Sequence, residues 1–181
     1  MTRISFVVLA AFILLVSFMG PRPAQAQCVN TATPSCGVYE ACFAKYCPCK
    51  NDADEYFITY GKKYCERFLS KTSLSDAGKA WRDKTLNCLQ ETIVPKLDIS
   101  TNPSCNCSSM RKFAFDSHVQ CYTQPGASIC DLPVDDIIEI GMTVDLSTIW
   151  TSESMRQIKA VAAVCAKTAT DPARKKLWSS F

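Results

Sequence analysis

One histidine, His118, and six glycines are all that the 181 residues contain, and each scarcity removes a class of chemistry. No zinc motif is built from a lone histidine, and cysteines held as disulfides do not ligate metal. No Gly-x-Ser-x-Gly elbow or phosphate-binding P-loop can be found. Short alternating strands punctuated by glycine turns are missing too. Excess charge of one sign is also lacking. Lys and Arg total 20 against 17 for Asp and Glu, and Arg3 and Arg22 fall in the leading segment. The remaining balance, 18 − 17 = +1, gives no electrostatic draw toward nucleic acid or a membrane surface. The one long apolar run, Ile4 to Phe18, is shorter than the roughly 20 residues needed to span a bilayer.

That run reads instead as a secretory signal peptide over residues 1–26. Thr2-Arg3 supplies the positive start, Gly20-Pro21 stops a helix, and Ala24-Gln25-Ala26 has small residues at both positions a signal peptidase reads. Cleavage after Ala26 would leave residues 27–181, a length suited to one domain with one core. All twelve cysteines lie in that portion, and an even count in a secreted chain reads as a disulfide framework. Each bridge closing tens of residues contributes roughly 2–4 kcal/mol. Five or six of them together would exceed the net stability of about 5–15 kcal/mol usual for a domain. Four of the cysteines crowd into Cys36-Gly-Val-Tyr-Glu-Ala-Cys42-Phe-Ala-Lys-Tyr-Cys47-Pro-Cys49, so later segments are expected to gather around this stretch.

The fold class expected is all-α, a disulfide-rich helical single domain over residues 27–181. Val38, Cys42 and Phe43 recur at helical intervals from Cys36 to Cys47, and Pro48 stops the pattern. Asp52, Asp54 and Glu55 open a second helix carrying Tyr56, Phe57, Tyr60, Tyr64, Cys65 and Phe68. Ser73-Leu-Ser-Asp76 resembles a capping box before a third helix with Trp81, Cys88, Leu89 and Ile93, which Pro95 ends. A fourth is expected over Ser108–Tyr122, with Phe115, Val119 and Tyr122 on one stripe, and Pro125-Gly126 is a turn signal. Pro133-Val-Asp-Asp starts a short helix, after which the alternation in Ile138-Glu-Ile-Gly-Met-Thr-Val-Asp-Leu predicts a loop. Met155, Ile158, Ala162 and Cys165 mark a long helix over about Ser147 to Lys167, and Asp171-Pro172 caps a short last one.

Four stretches taken together resemble the stanniocalcins, a family of secreted helical glycoprotein hormones. They are Cys36-Gly-Val-Tyr-Glu-Ala-Cys42, Tyr64-Cys65-Glu-Arg-Phe68, Gly78-Lys-Ala-Trp-Arg-Asp-Lys-Thr-Leu-Asn-Cys88 and Val119-Gln-Cys121-Tyr122. The spacings from Cys107 to Cys121 and from Cys130 to Cys165 also follow the family pattern. The resemblance implies the bridges Cys28–Cys42, Cys36–Cys65, Cys88–Cys121 and Cys130–Cys165, with a fifth from the Cys47/Cys49 region to Cys107. Cys105 and one of Cys47 and Cys49 are left over, each two residues from a bridged cysteine in matching Cys-x-Cys pairs. A sixth bridge beside the fifth is therefore expected, with the partner choice between Cys47 and Cys49 open. Vertebrate members carry a further cysteine that joins two chains. Residues 166–181 contain none, so a homodimer is expected to be non-covalent. The family's glycosylation sequon near the first helix is missing. The match Asn106-Cys107-Ser108 has a bridged cysteine at its centre, so little or no glycan is expected.

Enzyme chemistry has few places to reside. His118-Val-Gln-Cys121-Tyr122 echoes the active-site helix of secreted phospholipase A2, but Val119 stands where a carboxylate is needed. The preceding paired cysteine and the glycine-rich calcium loop are also missing. His118 is expected to be a partly exposed helix residue, and no catalytic residue, metal site or cofactor is assigned. Asn51-Asp52-Ala-Asp54-Glu55 fails as an EF-hand because Tyr56 and Phe57 occupy ligand and glycine positions. These acids, like Asp135-Asp136, are expected to sit in the first turn of a helix. The aromatic stripe Tyr56, Tyr60, Tyr64 and Phe68 is expected in the core, or at a protein contact if exposed. Arg174-Lys175-Lys176 with Leu177, Trp178 and Phe181 reads as a solvated end on an apolar anchor, with a receptor or membrane-surface role as the rival.

The function expected is that of a secreted stanniocalcin-like protein that binds an extracellular protein or receptor. The resemblance implies a role in calcium and phosphate homeostasis and, for some members, inhibition of extracellular metalloproteinases. The alternatives are a helical lipid or sterol carrier, which needs an apolar cavity of some hundreds of cubic ångströms, and a phospholipase-like enzyme.

Overall fold

The computed structural model describes Cys28, residues 34–50 and residues 52–181. The leading segment, residues 1–26, and Asn51 lie outside the described residues. Among those described, helix is the only regular secondary structure, and the fold is a disulfide-rich all-α one. Among the described residues, no helix is long and apolar enough to cross a membrane.

The long helices follow from periodicity as expected. Helix α3 (Asp76–Ile93) buries Trp81, Leu86, Leu89 and Ile93. Helix α4 (Cys107–Tyr122) begins at Asn106, whose side chain accepts from the Ser109 N–H, and it buries Met110, Ala114 and Phe115. Helix α7 (Ser152–Thr168) starts at Thr151, whose hydroxyl accepts from the Ser154 N–H. The preceding residues Leu146–Ile149 form a separate turn of helix, α6, instead of the expected start at Ser147. Helix α8 (Pro172–Trp178) has the expected Asp171 cap and first-turn proline. Trp178 is buried and donates from Nε1 to the Cys130 carbonyl in the short turn Ile129–Asp131.

Four expectations are corrected. The segment from Cys36 to Cys47 is a π-helical turn, Tyr39–Phe43, running into the brief α1 (Ala44–Tyr46). The second helix also begins as a π segment, Phe57–Lys62, before α2 (Lys63–Ser70). Apolar spacing cannot tell an i+4 ladder from an i+5 one; packing decides it here. The two wide turns press together where Gly61 has no side chain, since a Cβ there would lie 2.5 Å from Tyr39 Cε1. Of the expected first-turn acids, only Glu55 caps the segment, accepting from the Ile58 and Thr59 N–H groups. Asp52 accepts from Asp54 N in a turn before it.

The third correction concerns the start of α3. Its cap is Ser75, not Ser73, and the Ser75 hydroxyl accepts from Gly78 N. In a capping box the acid three residues on would reach back to the cap's N–H. Gly78 holds that place, and the acid comes from across the fold. Buried Asp136 accepts from Ser75 N at 2.9 Å and from the Ser75 hydroxyl. A Cβ on residue 78 would lie 2.7 Å from the Asp136 carboxyl carbon, so the glycine keeps the place open.

The fourth is the expected loop after Ile138. Helix α5 runs unbroken over Val134–Thr143. Asp135 and Asp136 do sit in its first turn, as expected. Asp136 also serves α3. Ile140 faces the core, whereas Val134, Ile138 and Met142, each four residues from the next, face outward.

Candidate functional site

The expected hub is a sulfur-rich one. The structure joins Cys28–Cys42, Cys36–Cys65, Cys88–Cys121 and Cys130–Cys165, with Cα separations from 4.8 to 5.6 Å. These are the four pairs the resemblance implies. The open choice resolves as Cys47–Cys105 and Cys49–Cys107, side by side between the turn after α1 and the start of α4. No described cysteine is free. The two bridges are in close contact, with Cys47 Sγ 3.6 Å from Cys49 Sγ. Cys47 and Cys49 are buried; Cys105 and Cys107 are half-buried.

His118 is not the partly exposed residue expected; it is 3% exposed. Its neighbours come from its own helix and from one segment distant in sequence. The ring stacks on Phe115, with centroids 5.6 Å apart, and meets Tyr56, Tyr60 and Tyr122 edge to face. Nδ1 lies 2.9 Å from the Ala114 carbonyl and 3.0 Å from that of Phe115, a geometry in which Nδ1 carries the proton and donates. Burial pushes its pKa down to about 4, against the weaker pull of those two carbonyls. The imidazole is thus neutral, tied to its own helix and enclosed by aromatic rings, and its Nδ1 hydrogen-bonds to backbone carbonyls. The cavity beside it, bordered by Tyr39, Trp81, Thr85 and Tyr122, measures about 30 Å³. That is room for a water molecule, not a sterol or acyl chain.

The stripe expected to be core is core: Tyr56, Tyr64 and Phe68 are buried and Tyr60 is half-buried. Desolvation raises the hydroxyl pKa values of Tyr39, Tyr56, Tyr60 and Tyr122, so these groups stay neutral. Charged groups gather at two rims instead. Asp145 accepts from Lys63 and Arg67 and from the Tyr64 hydroxyl, and the two cations hold its carboxyl well below the usual range. Asp116 bonds Lys112 and Arg156, which lower its pKa likewise. The acids weighed against calcium do not converge: Asp54 lies 4.0 Å from Arg111, and Glu55 is committed to backbone N–H groups. Asn106 of the sequon accepts from Ser109 N while its neighbour Cys107 is bridged.

Two features went unforeseen. The exposed apolar residues Ile138 and Met142, at 54% and 71% exposure, are hidden when residues 138–146 are taken as a loop, and Trp150, 72% exposed, has no local signal. The second role of Asp136, beyond that of a first-turn acid of its own helix, has no signal at Asp136 itself. The signal that would have found its second role is Gly78 at the third helical position of α3. Set beside known proteins, the chain matches no protein-family profile, no curated protein and no solved structure.

Proposed function

We propose that the chain is a secreted, stanniocalcin-like regulatory protein that works by binding other extracellular proteins and has no catalysis of its own. The observation that carries this reading is the bridge set. Four of the six pairs are those the resemblance assigns, and all twelve sulfurs are consumed within the chain. Such a state suits an oxidising compartment. The implied role in calcium and phosphate homeostasis rests on the same resemblance. The enclosed, neutral His118 weighs against a hydrolase, and the water-sized cavity against a carrier. Exposed Ile138, Met142 and Trp150 offer apolar contact area of the sort that binding surfaces use. A homodimer of this chain would be non-covalent, because each described cysteine already has its partner.

The test is capture from extracellular fluid on the oxidised chain, with and without calcium, against a reduced and alkylated control. A defined protein should be retained, rebind when purified, and be lost from the control and weakened by Met142→Glu. Retention equal to the control overturns the proposal, as does phospholipid hydrolysis that disappears in His118→Ala.

A further inference from the structure

Two Cys-x-Cys elements bring four sulfurs to one place. Besides the bonds Cys47–Cys105 and Cys49–Cys107, Cys47 Sγ lies 3.6 Å from Cys49 Sγ, and Cys49 Sγ lies 4.0 Å from Cys105 Sγ. The Sγ atoms of Cys47, Cys49 and Cys105 all fall within 4.8 Å of one another, and Cys107 is bonded to the second of them. A tetrahedral centre with metal–sulfur bonds of about 2.3 Å has sulfur–sulfur edges of about 3.8 Å. The two unbonded spacings among Cys47, Cys49 and Cys105 therefore already match the edges of such a centre. Only the two bonded pairs have to open. Among the described residues, no other group of three or more Cys, His, Asp or Glu side chains converges in this way.

The geometry points to a second, metal-bound state of this double bridge: once reduced, Cys47, Cys49, Cys105 and Cys107 form a tetrathiolate site for one zinc ion. Two molecules of a dithiol supply the electrons. Each delivers two electrons and two protons to one S–S bond and leaves as its own cyclic disulfide, giving four thiols. Binding Zn²⁺ then releases four protons and leaves a centre of net charge −2. A reductant enters through the half-buried Cys105 and Cys107. Cys107 is the first residue of α4, where the helix dipole favours the thiolate. Zinc is the fitting cation, since it takes four thiolates tetrahedrally without redox change. The ion would also keep the turn after α1 tied to the start of α4, so the cross-link outlasts the loss of its covalent bonds.

The experiment is limited anaerobic reduction of the folded full chain with a dithiol, followed by zinc titration, alkylation and mass mapping. One zinc per chain is expected, with Cys47, Cys49, Cys105 and Cys107 shielded from alkylation only when zinc is present. X-ray absorption should read four sulfur neighbours at about 2.3 Å. The variant Cys105→Ser/Cys107→Ser, which keeps the other four bridges, should lose the zinc. Zinc retained by that variant overturns the proposal. So does shielding at Cys88 and Cys121 instead, or a zinc-treated sample alkylated like the zinc-free one.

Discussion

Helices α4 and α5 occupy one fold but are fastened by different means. Helix α4 is bonded at both ends, Cys107 to Cys49 and Cys121 to Cys88. Its last turn is tied further to α3, where Trp81 Nε1 donates to the Tyr122 carbonyl and the Thr85 hydroxyl to that of Cys121. Helix α5 has no cysteine. It is held by Asp136 on Ser75, by Glu139 on Lys71 and Ser73, and by buried Ile140. A covalent tie restrains the unfolded chain as well as the folded one. A polar tie acts only in the folded state and answers to pH. Local opening should therefore begin at α5 and reach α4 last.

The strongest way to break this contrast is to remove a covalent tie. Cys88→Ala/Cys121→Ala should lower stability by about 2–4 kcal/mol in urea unfolding. It should also bring the amide protection of α4 down toward that of α5, as read by hydrogen exchange. Unchanged α4 protection would mean that packing, not sulfur, distinguishes the two helices.

Acid separates them next. The fold keeps His118 of α4 neutral down to about pH 4, whereas an unfolded chain protonates it near pH 6.5. The unfolded state takes up the proton first, so stability falls as pH drops from about 6.5 to about 4, by roughly 3 kcal/mol. His118→Gln should flatten that slope. Glu139 of α5 and the adjoining Asp145 act in a different window. Lys71 with Ser73, and Lys63 with Arg67, lower their pKa values. Their contribution is complete above the ordinary carboxylate range, near pH 4, and fades only as pH falls further. Urea midpoints measured across both windows would show whether the slopes separate.

The smallest effects are at Gly78. Asp136→Ala removes the acceptor for Ser75 and should cost about 1–2 kcal/mol. Gly78→Ala alone should destabilise by a similar amount, through its clash with the carboxylate. In the Asp136→Ala background the same Gly78→Ala should instead stabilise by about 0.5–1 kcal/mol, the usual gain from removing a helical glycine. A thermodynamic cycle without this reversal of sign would deny that Asp136 completes the α3 cap.

How much of this could be read from the residues depended on whether the signal was local. The long helices α3, α4 and α7 announce themselves by spacing, though not by their caps, and α8 by Asp171-Pro172. Helix α5 does not, because Ile138, Ile140 and Met142 alternate like a strand. Their alternation mixes two faces, one inward and one outward. The burial of His118 was illegible because Tyr56 and Tyr60 reach it from another segment. The partner choice at Cys47 and Cys49 is equally so, since both assignments join the same two Cys-x-Cys pairs across nearly equal separations and only the folded geometry selects one.

The bridge pattern also decides how the oxidised chain comes apart. From Cys28 to Cys121 every bridge overlaps another along the sequence: Cys28–Cys42 with Cys36–Cys65, that with Cys47–Cys105 and Cys49–Cys107, and those with Cys88–Cys121. Cys130–Cys165 overlaps none of them. A peptide bond cut between Tyr122 and Ile129 would thus divide the molecule into two pieces sharing no covalent bond. Cuts between Cys28 and Cys121, or between Cys130 and Cys165, would leave the fragments chained together. A protease in an oxidising medium can release the α5–α8 portion in one stroke there, without any reductant.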